Sequence, residues 1–205
     1  MSRRILPYGD HALLVELDDL DAVLALFRGL AATRPSGVVE LVPAARTVAV
    51  VVDPRILSLS TARGWIERSE PLDANDVEER EVVIDVRYDG EDLAEVARLT
   101  GLTERDVVAF HAGTPWRVAF GGFAPGFAYL VGDGATLDVP RRETPRTAVP
   151  SGSVGLAGVF SGVYPRSSPG GWQLIGRTDA ALWDETADPP ALLRPGTVVR
   201  FREVR

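Results

Sequence analysis

Residues 120–178 read FGGFAPGFAYLVGDGATLDVPRRETPRTAVPSGSVGLAGVFSGVYPRSSPGGWQLIGRT, and they hold 12 of the chain's 20 glycines. Such a density is incompatible with helix, because each interior glycine costs about 0.5–1 kcal/mol relative to alanine. Disorder is also disfavoured, because large apolar residues recur between the glycines. The segment therefore predicts short strands joined by tight turns, which is typical of a β-barrel and not of a doubly wound sheet.

The residues before this segment predict a mixed α+β domain of the ferredoxin-like kind. An apolar strand precedes a helix whose apolar positions follow the helical period, with Asp18 or Asp19 as its cap. Two β-branched runs, residues 38–42 and 47–52, then predict a hairpin.

A linker and a last strand set the expected limits of the domains. Residues 70–80 are polar and acidic without periodicity, and they predict a linker. Thr197 to Phe201 predict a last strand that could close a sheet. We therefore expect an α+β domain at residues 1–78 and a mainly β barrel domain at residues 79–205.

Composition removes several classes of function. The net charge is -7 and the pI is near 4.9, which argues against nucleic acid as a partner. The chain has no cysteine, and all 22 of its basic residues are arginine, which excludes thiol nucleophiles, Schiff-base lysines and a phosphate-loop lysine. The sequence shows no membrane-length apolar run and no signal peptide, so we expect no membrane contact and a cytoplasmic protein. The two histidines, His11 and His111, are far apart in sequence, which excludes a multi-histidine metal site but leaves ligation by a histidine and carboxylates open; we predict no metal site.

A cluster of arginines makes the first candidate site. Arg141, Arg142 and Arg146 lie beside Pro140 and Pro145. Guanidinium groups suit carboxylates and phosphates, and the prolines stiffen the loop that presents them. An anion-binding loop and a solvated basic loop on an acidic protein both fit this pattern.

The sequence PSGS at residues 150–153 predicts a turn. The amides and hydroxyls of Ser151, Gly152 and Ser153 could bind an anion or a carbonyl oxygen, or the segment is a plain β-turn. A nucleophilic serine is disfavoured, because the pattern G-x-S-x-G is absent and a strand follows instead of a helix.

Aromatic residues and a histidine complete the candidates. Phe123, Pro125, Phe127 and Tyr129 could line the wall of a pocket, or they belong to the core. His111 comes at the end of a predicted helix, where it either favours the negative end of the helix dipole or transfers protons.

Three long motifs resemble those of the allophanate hydrolase subunit 1 family: GFAPGFAYL (122–130), VPRRETPRTAVPSGSVGLAG (139–158) and GVYPRSSPGGWQLIGRT (162–178). The resemblance extends upstream to YGDHALLVEL, ELVPAARTVAVVVDP and TERDVVAFHAGTPWRVAF, and so covers nearly the whole chain. In two places the chain departs from the family's usual pattern. Ala128 replaces a proline, and Phe160-Ser161 replaces Gln-Thr, which puts a polar contact there in doubt.

The resemblance implies an N-terminal α/β domain, a C-terminal cyclophilin-like barrel and a homologous second subunit as partner. The implied function is that of a subunit of an ATP-dependent 5-oxoprolinase, which opens 5-oxoproline to glutamate. The alternatives are a histidine-kinase inhibitor and a component of a biotin-dependent carboxyltransferase or allophanate hydrolase.

The resemblance also assigns roles to residues, with a small carboxylate as substrate. Arg141 and Arg146 would neutralise its charge or that of a phosphate, and Tyr164 would lie in the same site. Loop amides at the 150–153 turn would hold an oxyanion. Mg-dependent ATP is expected to be bound jointly with the partner, because the chain has no phosphate-loop lysine.

Overall fold

The structure is a computed structural model that describes residues 3–72, 80–134 and 136–205. The chain divides into two compact units, Met1–Val77 and Glu78–Arg205. The predicted boundary between residues 78 and 79 lies outside the described residues, as does most of the predicted linker.

The first unit is a four-stranded antiparallel sheet with two helices, in the order β1-β2-β4-β3. Asp19 caps the first helix, because its side chain accepts a hydrogen bond from the Ala22 N–H at 2.8 Å. The predicted hairpin is confirmed as the pair β3 and β4. The elements are β1 (Arg4–Pro7), β2 (Ala12–Glu16), α1 (Leu20–Ala32), β3 (Val38–Pro43), β4 (Thr47–Val52) and α2 (Leu59–Arg68).

The ferredoxin-like prediction for this unit is not confirmed. In such a sheet the strand beside β2 would follow α2, whereas here β1, from the start of the chain, takes that place. The strand β1 is not predictable from its own sequence, because its four residues include Arg4 and Pro7 and show no clear alternation of apolar and polar side chains.

The second unit is built on a seven-stranded sheet in the order β12-β9-β10-β7-β6-β13-β5, with a separate two-stranded sheet of β11 and β8. Its helices are α3 (Leu93–Thr100) and α4 (Glu104–Gly113). Its strands are β5 (Glu81–Val86), β6 (Trp116–Gly121), β7 (Ala128–Gly132), β8 (Arg146–Val149), β9 (Ser153–Ala157), β10 (Phe160–Val163), β11 (Ser168–Gly170), β12 (Gln173–Arg177) and β13 (Val198–Glu203).

The seven-stranded sheet is a nearly closed β-barrel. Its two outer strands, β5 and β12, meet where Arg87 and Arg177 exchange both backbone hydrogen bonds, at 2.9 and 2.8 Å. The last strand, β13, does not make this closure as the sequence suggested. It lies between β5 and β6 and runs parallel to β5.

Two apolar clusters lie on opposite faces of this sheet. Leu156 and Ile175 point into the barrel interior, while the neighbouring residues Ala157 and Leu174 belong to a second cluster. That second cluster contains the large side chains Phe127, Tyr164 and Trp172, and Tyr129 packs against it. We call Phe123, Phe127, Tyr129, Tyr164 and Trp172 the aromatic cluster.

Candidate functional site

Two consecutive turns present the aromatic cluster. Phe123 has φ of 64°, and the Ala124 N–H donates to the Gly122 carbonyl at 2.7 Å, which makes a strained γ-turn. A type II turn follows, with Pro125 at its second position and Gly126 at its third with φ of 82°. Among the described residues Phe123 is the only non-glycine residue with positive φ. Strain of this kind is concentrated at functional sites.

The cluster places one exposed ring above buried ones. Phe123 is 56% exposed, and its ring meets those of Phe127 and Tyr164 edge to face, with centroids 5.2 and 6.0 Å apart. Phe127 in turn contacts Tyr129 and Trp172 edge to face, at 5.1 and 5.4 Å. Phe127 is buried, Tyr129 is half-buried and Pro125 is exposed. Phe127 therefore belongs to the core, whereas Phe123 and Pro125 lie at the surface. Their role as the wall of a pocket stays a prediction.

Tyr164 brings a hydroxyl group into this apolar cluster. It is buried, and its hydroxyl accepts a hydrogen bond from the Trp172 backbone. Gly170 allows this placement, because a Cβ there would collide with the hydroxyl. Burial raises the pKa of Tyr164, and the Trp172 hydrogen bond and the positive charges of Arg141 and Arg146 partly oppose that rise. Both arginines are therefore electrostatic neighbours of the hydroxyl.

Asp92 organises the arginine loop. Its Oδ1 accepts hydrogen bonds from Arg142 Nη1 at 2.7 Å and from Arg146 Nη2 at 2.9 Å, and its Oδ2 accepts one from the Leu174 N–H at 2.7 Å. Burial opposes the charge of Asp92, but these hydrogen bonds and the two guanidinium charges outweigh it and hold its pKa below the ordinary value. We call Asp92, Arg142 and Arg146 the arginine cluster.

The loop keeps unused hydrogen-bonding capacity. Arg146 also contacts Glu91 Oε2 at 3.1 Å, yet its Nη1 is buried and has no partner among the described residues. Arg141 is exposed and makes no hydrogen bond or ion pair within the described ranges. Gln173 donates to the Pro140 carbonyl, but its Oε1 is buried and also unpaired in the described structure. The unpaired guanidinium groups suit an anion that enters from outside the protein.

Part of the 150–153 turn is used in internal hydrogen bonds, and its role in oxyanion binding stays a prediction. The Gly152 N–H donates to the Tyr164 carbonyl at 2.8 Å, and the Ser153 N–H donates to the Pro150 carbonyl at 3.3 Å. The Ser151 hydroxyl donates to the Pro165 carbonyl at 3.0 Å. With Gly152 at φ of 80°, the segment is a plain type II turn, and its bonds to the backbone of Tyr164 make it a support for that residue.

A shallow groove lies beside this turn. It has a volume of about 440 Å³, and both Ser151 and Ser153 line it. Three carboxylates, Asp89, Glu91 and Asp179, and one arginine, Arg177, line it as well. Each carboxylate forms an ion pair with an arginine, so the groove carries charges of both signs.

His111 contradicts its predicted role in proton transfer. It lies in the last turn of α4 and is completely buried. Its Nδ1 lies 2.7 Å from the Tyr88 hydroxyl, and its Nε2 lies 2.8 Å from the Ser161 hydroxyl. Burial lowers its pKa to about 3, so the ring is neutral at neutral pH, and the dipole interaction of a charged histidine is also absent.

Tyr88, His111 and Ser161 form what we call the His111 network. The histidine ring stacks on Phe201 with centroids 4.3 Å apart, and the residue is sealed from solvent. Ser161 belongs to the Phe160-Ser161 departure from the family pattern, and its hydroxyl contacts His111, whereas the ring of Phe160 packs on Phe120 and Tyr129 where the family has an amide. The burial of His111 excludes direct contact with a substrate.

Asp92, Trp172 and Gln173 are not identifiable from the sequence as members of the site. Asp92 precedes a helical run and looks like part of a turn. Nothing in the spacing indicates that it pairs with arginines 50 and 54 positions later. Arg142 lies in the predicted loop, but no sequence signal separates its role from that of Arg141.

The described residues fit a single anionic group better than a nucleotide. The free guanidinium of Arg141 and the unpaired Nη1 of Arg146 suit a carboxylate or one phosphoryl group, whereas the Gly152 and Ser153 amides of the nearby turn already donate to backbone carbonyls. In the described ranges no three His, Cys, Asp or Glu side chains come together as possible metal ligands. None of the described helices is long and apolar enough to cross a membrane.

Comparisons with known proteins agree on one family. The family model of the carboxyltransferase domain, subdomain C and D, matches residues 3–193. The chain is 45% identical over 171 residues to the B-type subunit of 5-oxoprolinase from Escherichia coli O157:H7, which covers 80% of this chain and 77% of the relative. It is 41% identical over 180 residues to the protein of the same name from Bacillus subtilis, covering 80% and 75%.

Solved structures share the fold. The crystal structure of TTHA0988 matches with a TM-score of 0.78 and 38% identity, over 95% of this chain and 40% of that one. The chain thus spans less than half of that longer protein. The urea amidolyase of K. lactis matches with a TM-score of 0.79 at 20% identity, covering 98% of this chain and 15% of that one, which shows the fold alone. The chain belongs to the carboxyltransferase domain, subdomain C and D family.

Proposed function

We propose that this chain is a subunit of an ATP-dependent 5-oxoprolinase that acts with a homologous second subunit. The observation that carries the proposal is the shared name of its relatives, both 5-oxoprolinase subunits of the B type, at 41–45% identity over 80% of the chain. The match to the urea amidolyase of Saccharomyces cerevisiae reaches only 29% of the chain, so the comparisons do not favour the carboxyltransferase alternative. Nothing in them favours the kinase inhibitor.

The site supports a small carboxylate of this type. 5-Oxoproline is a flat five-membered lactam that carries one carboxylate. Arg141 and the spare N–H of Arg146 suit the carboxylate, and the rings of Phe123 and Phe127 suit the flat apolar face. Both sets of groups surround the same buried tyrosine, Tyr164. We assign the carboxylate of the substrate to this place.

The rest of the reaction belongs to the assembled enzyme in this proposal. ATP supplies the driving force for opening the lactam, and its Mg-bound phosphates are held mainly by the partner, because this chain has no phosphate-loop lysine. The isolated chain is then inactive. The proposal includes a cytoplasmic location, a cyclophilin-like barrel and an N-terminal domain that is a ferredoxin-like variant with its outer strand moved to the start.

The proposal is tested with the purified complex of this chain and its second subunit. We expect ATP hydrolysis that depends on 5-oxoproline and yields glutamate, and none with this chain alone. Arg141→Gln should raise the KM for 5-oxoproline about tenfold, the effect of losing one charge-assisted hydrogen bond. The matched control is Arg105→Gln, an exposed arginine on α4. Absence of 5-oxoproline-dependent turnover in the complex would refute the function.

A further inference from the structure

Asp92 stands at the N-cap of α3 but does not cap it. Aspartate at this position ordinarily accepts a hydrogen bond from the first turn of its helix. Here the side chain makes no such bond and points to the arginine loop and to β12 instead. The carboxylate is buried, with 4% of the residue exposed, so its contacts with the arginines are shielded from water.

The carboxylate uses only part of the Arg146 guanidinium. Arg142 and Arg146 both donate to Oδ1, and Oδ2 is occupied by the Leu174 N–H, so the carboxylate offers neither arginine a two-pronged contact. Arg146 therefore contacts acids through Nη2 alone, at Asp92 and Glu91. Its Nη1 stays buried and unpaired in the described structure. A buried unpaired donor is costly unless a ligand completes it.

Tyr164 marks the direction in which a ligand would lie. The charges of Arg141 and Arg146 both act on its hydroxyl, and the exposed ring of Phe123 covers the same residue from the solvent side. The Arg146 side chain is 15% exposed, so the guanidinium is close to solvent without being free in it. Tyr164 is thus the common neighbour of the two arginine charges and of the exposed Phe123 ring.

We propose that Asp92 is a positioning residue that holds Arg146 with its Nη1 amino group left over for the carboxylate of the substrate. This inference rests on the proposed function for the identity of that substrate. Asp92 does not touch the substrate. It fixes the orientation of Arg146 and thereby sets affinity for molecules that carry a carboxylate, while the lactam ring is held by the aromatic cluster.

The test separates positioning from a merely structural role. Asp92→Asn keeps the shape and one oxygen for the Leu174 N–H, but it removes the charge that holds Arg146. In the complex we expect the KM for 5-oxoproline to rise about tenfold to thirtyfold, with kcat within about twofold. Asp92→Glu, which restores the charge, should recover part of the loss. Asp85→Asn is the control, because Asp85 forms an exposed ion pair with Arg202 in the same barrel.

Calorimetry on the same complex makes the test independent of turnover. The wild type should bind 5-oxoproline about tenfold or more tightly than 2-pyrrolidone, the same lactam ring without the carboxylate, and Asp92→Asn should lose this preference. If Asp92→Asn keeps both its KM and its preference, or loses affinity for both ligands equally, the inference is wrong. A wild type without the preference also refutes it. Binding with the preference but without turnover refutes only the proposed function.

Discussion

The arginine cluster and the His111 network are two polar groups in the same barrel unit, and they differ in how fully they are paired. In the His111 network both ring nitrogens have hydroxyl partners, and the histidine is sealed from solvent. In the arginine cluster Arg146 keeps an unpaired N–H and lies near the surface. Both contain residue types that carry catalysis in other proteins, so residue type alone does not distinguish them.

The difference indicates that the completeness of hydrogen bonding separates polar groups that support the fold from polar groups that can bind a ligand. A fully paired, buried network has no capacity left for a ligand, and its polar groups serve the packing of the fold. A partly paired cluster at the surface is incomplete until something else binds. The three predictions below test this division.

The largest expected effect is on stability, from His111→Ala. The change leaves a cavity and removes the partner of both the Tyr88 and the Ser161 hydroxyl, so the free energy of unfolding should fall by about 3 kcal/mol. Chemical denaturation measures this loss. Turnover per folded complex should stay within about twofold. His11→Ala is the control, because His11 is an exposed surface residue, and it should change stability by less than about 0.5 kcal/mol. Lost turnover with intact stability would overturn the division.

The second effect is the pH dependence of stability. Burial lowers the pKa of His111 to about 3 from an ordinary 6.5. Below pH 6.5 the His111 imidazole therefore binds a proton in the unfolded chain but not in the folded chain, and stability falls as the pH falls. Between pH 6.5 and 4.5 this costs about 2 kcal/mol, a loss that His111→Gln should not show.

The contribution of Asp92 to stability changes over a lower pH range than that of His111. Its pKa is depressed in the folded state, so the stability it adds is present above the ordinary pKa of aspartate and is lost as the pH falls through the folded value. Above pH 4.5 the difference in unfolding free energy between wild type and His111→Gln therefore contains no contribution from the titration of Asp92. Equal slopes for the two proteins in that window would contradict a neutral buried His111.

The smallest effect comes from removing one hydroxyl in each region. Tyr164→Phe deprives the Trp172 N–H of its acceptor and should cost about 1 kcal/mol of stability together with a severalfold rise in the KM for 5-oxoproline. Tyr88→Phe should cost a similar amount of stability, because His111 Nδ1 loses its partner, but leave KM unchanged. Denaturation and steady-state kinetics on both variants check this. A KM change in Tyr88→Phe would contradict the division.

Much of the architecture is readable from local patterns. The cap at Asp19, the hairpin of β3 and β4 and the short strands of the glycine-rich segment follow from side-chain period and turn chemistry. The barrel itself follows from the density of glycine and the shortness of the strands. The strand β1 escapes prediction because its stability comes from pairing with β2 and not from its own sequence.

The site is only partly predictable, because its contacts join distant parts of the chain. Arg141, Arg146 and the aromatic run are identifiable from their chemistry, but Asp92 is visible only once α3 and the loop are folded together. The prediction of proton transfer by His111 conflicts with the fold for the opposite reason. The residue type suggests reactivity, but the folded chain pairs both ring nitrogens internally. In the 150–153 turn the Gly152 and Ser153 N–H groups and the Ser151 hydroxyl are also paired, and the oxyanion role there stays a prediction. No sequence pattern reports such satisfaction.

The seam that joins β5 and β12 continues past Arg87 and Arg177. The Gly90 N–H donates to the Ile175 carbonyl at 3.2 Å, and the Asp92 N–H donates to the Leu174 carbonyl at 2.9 Å. The chain therefore follows β12 through backbone hydrogen bonds until it reaches Asp92, so barrel closure and the position of this acid depend on the same stretch of chain. A change that weakens the seam should also move Asp92 away from Arg142 and Arg146.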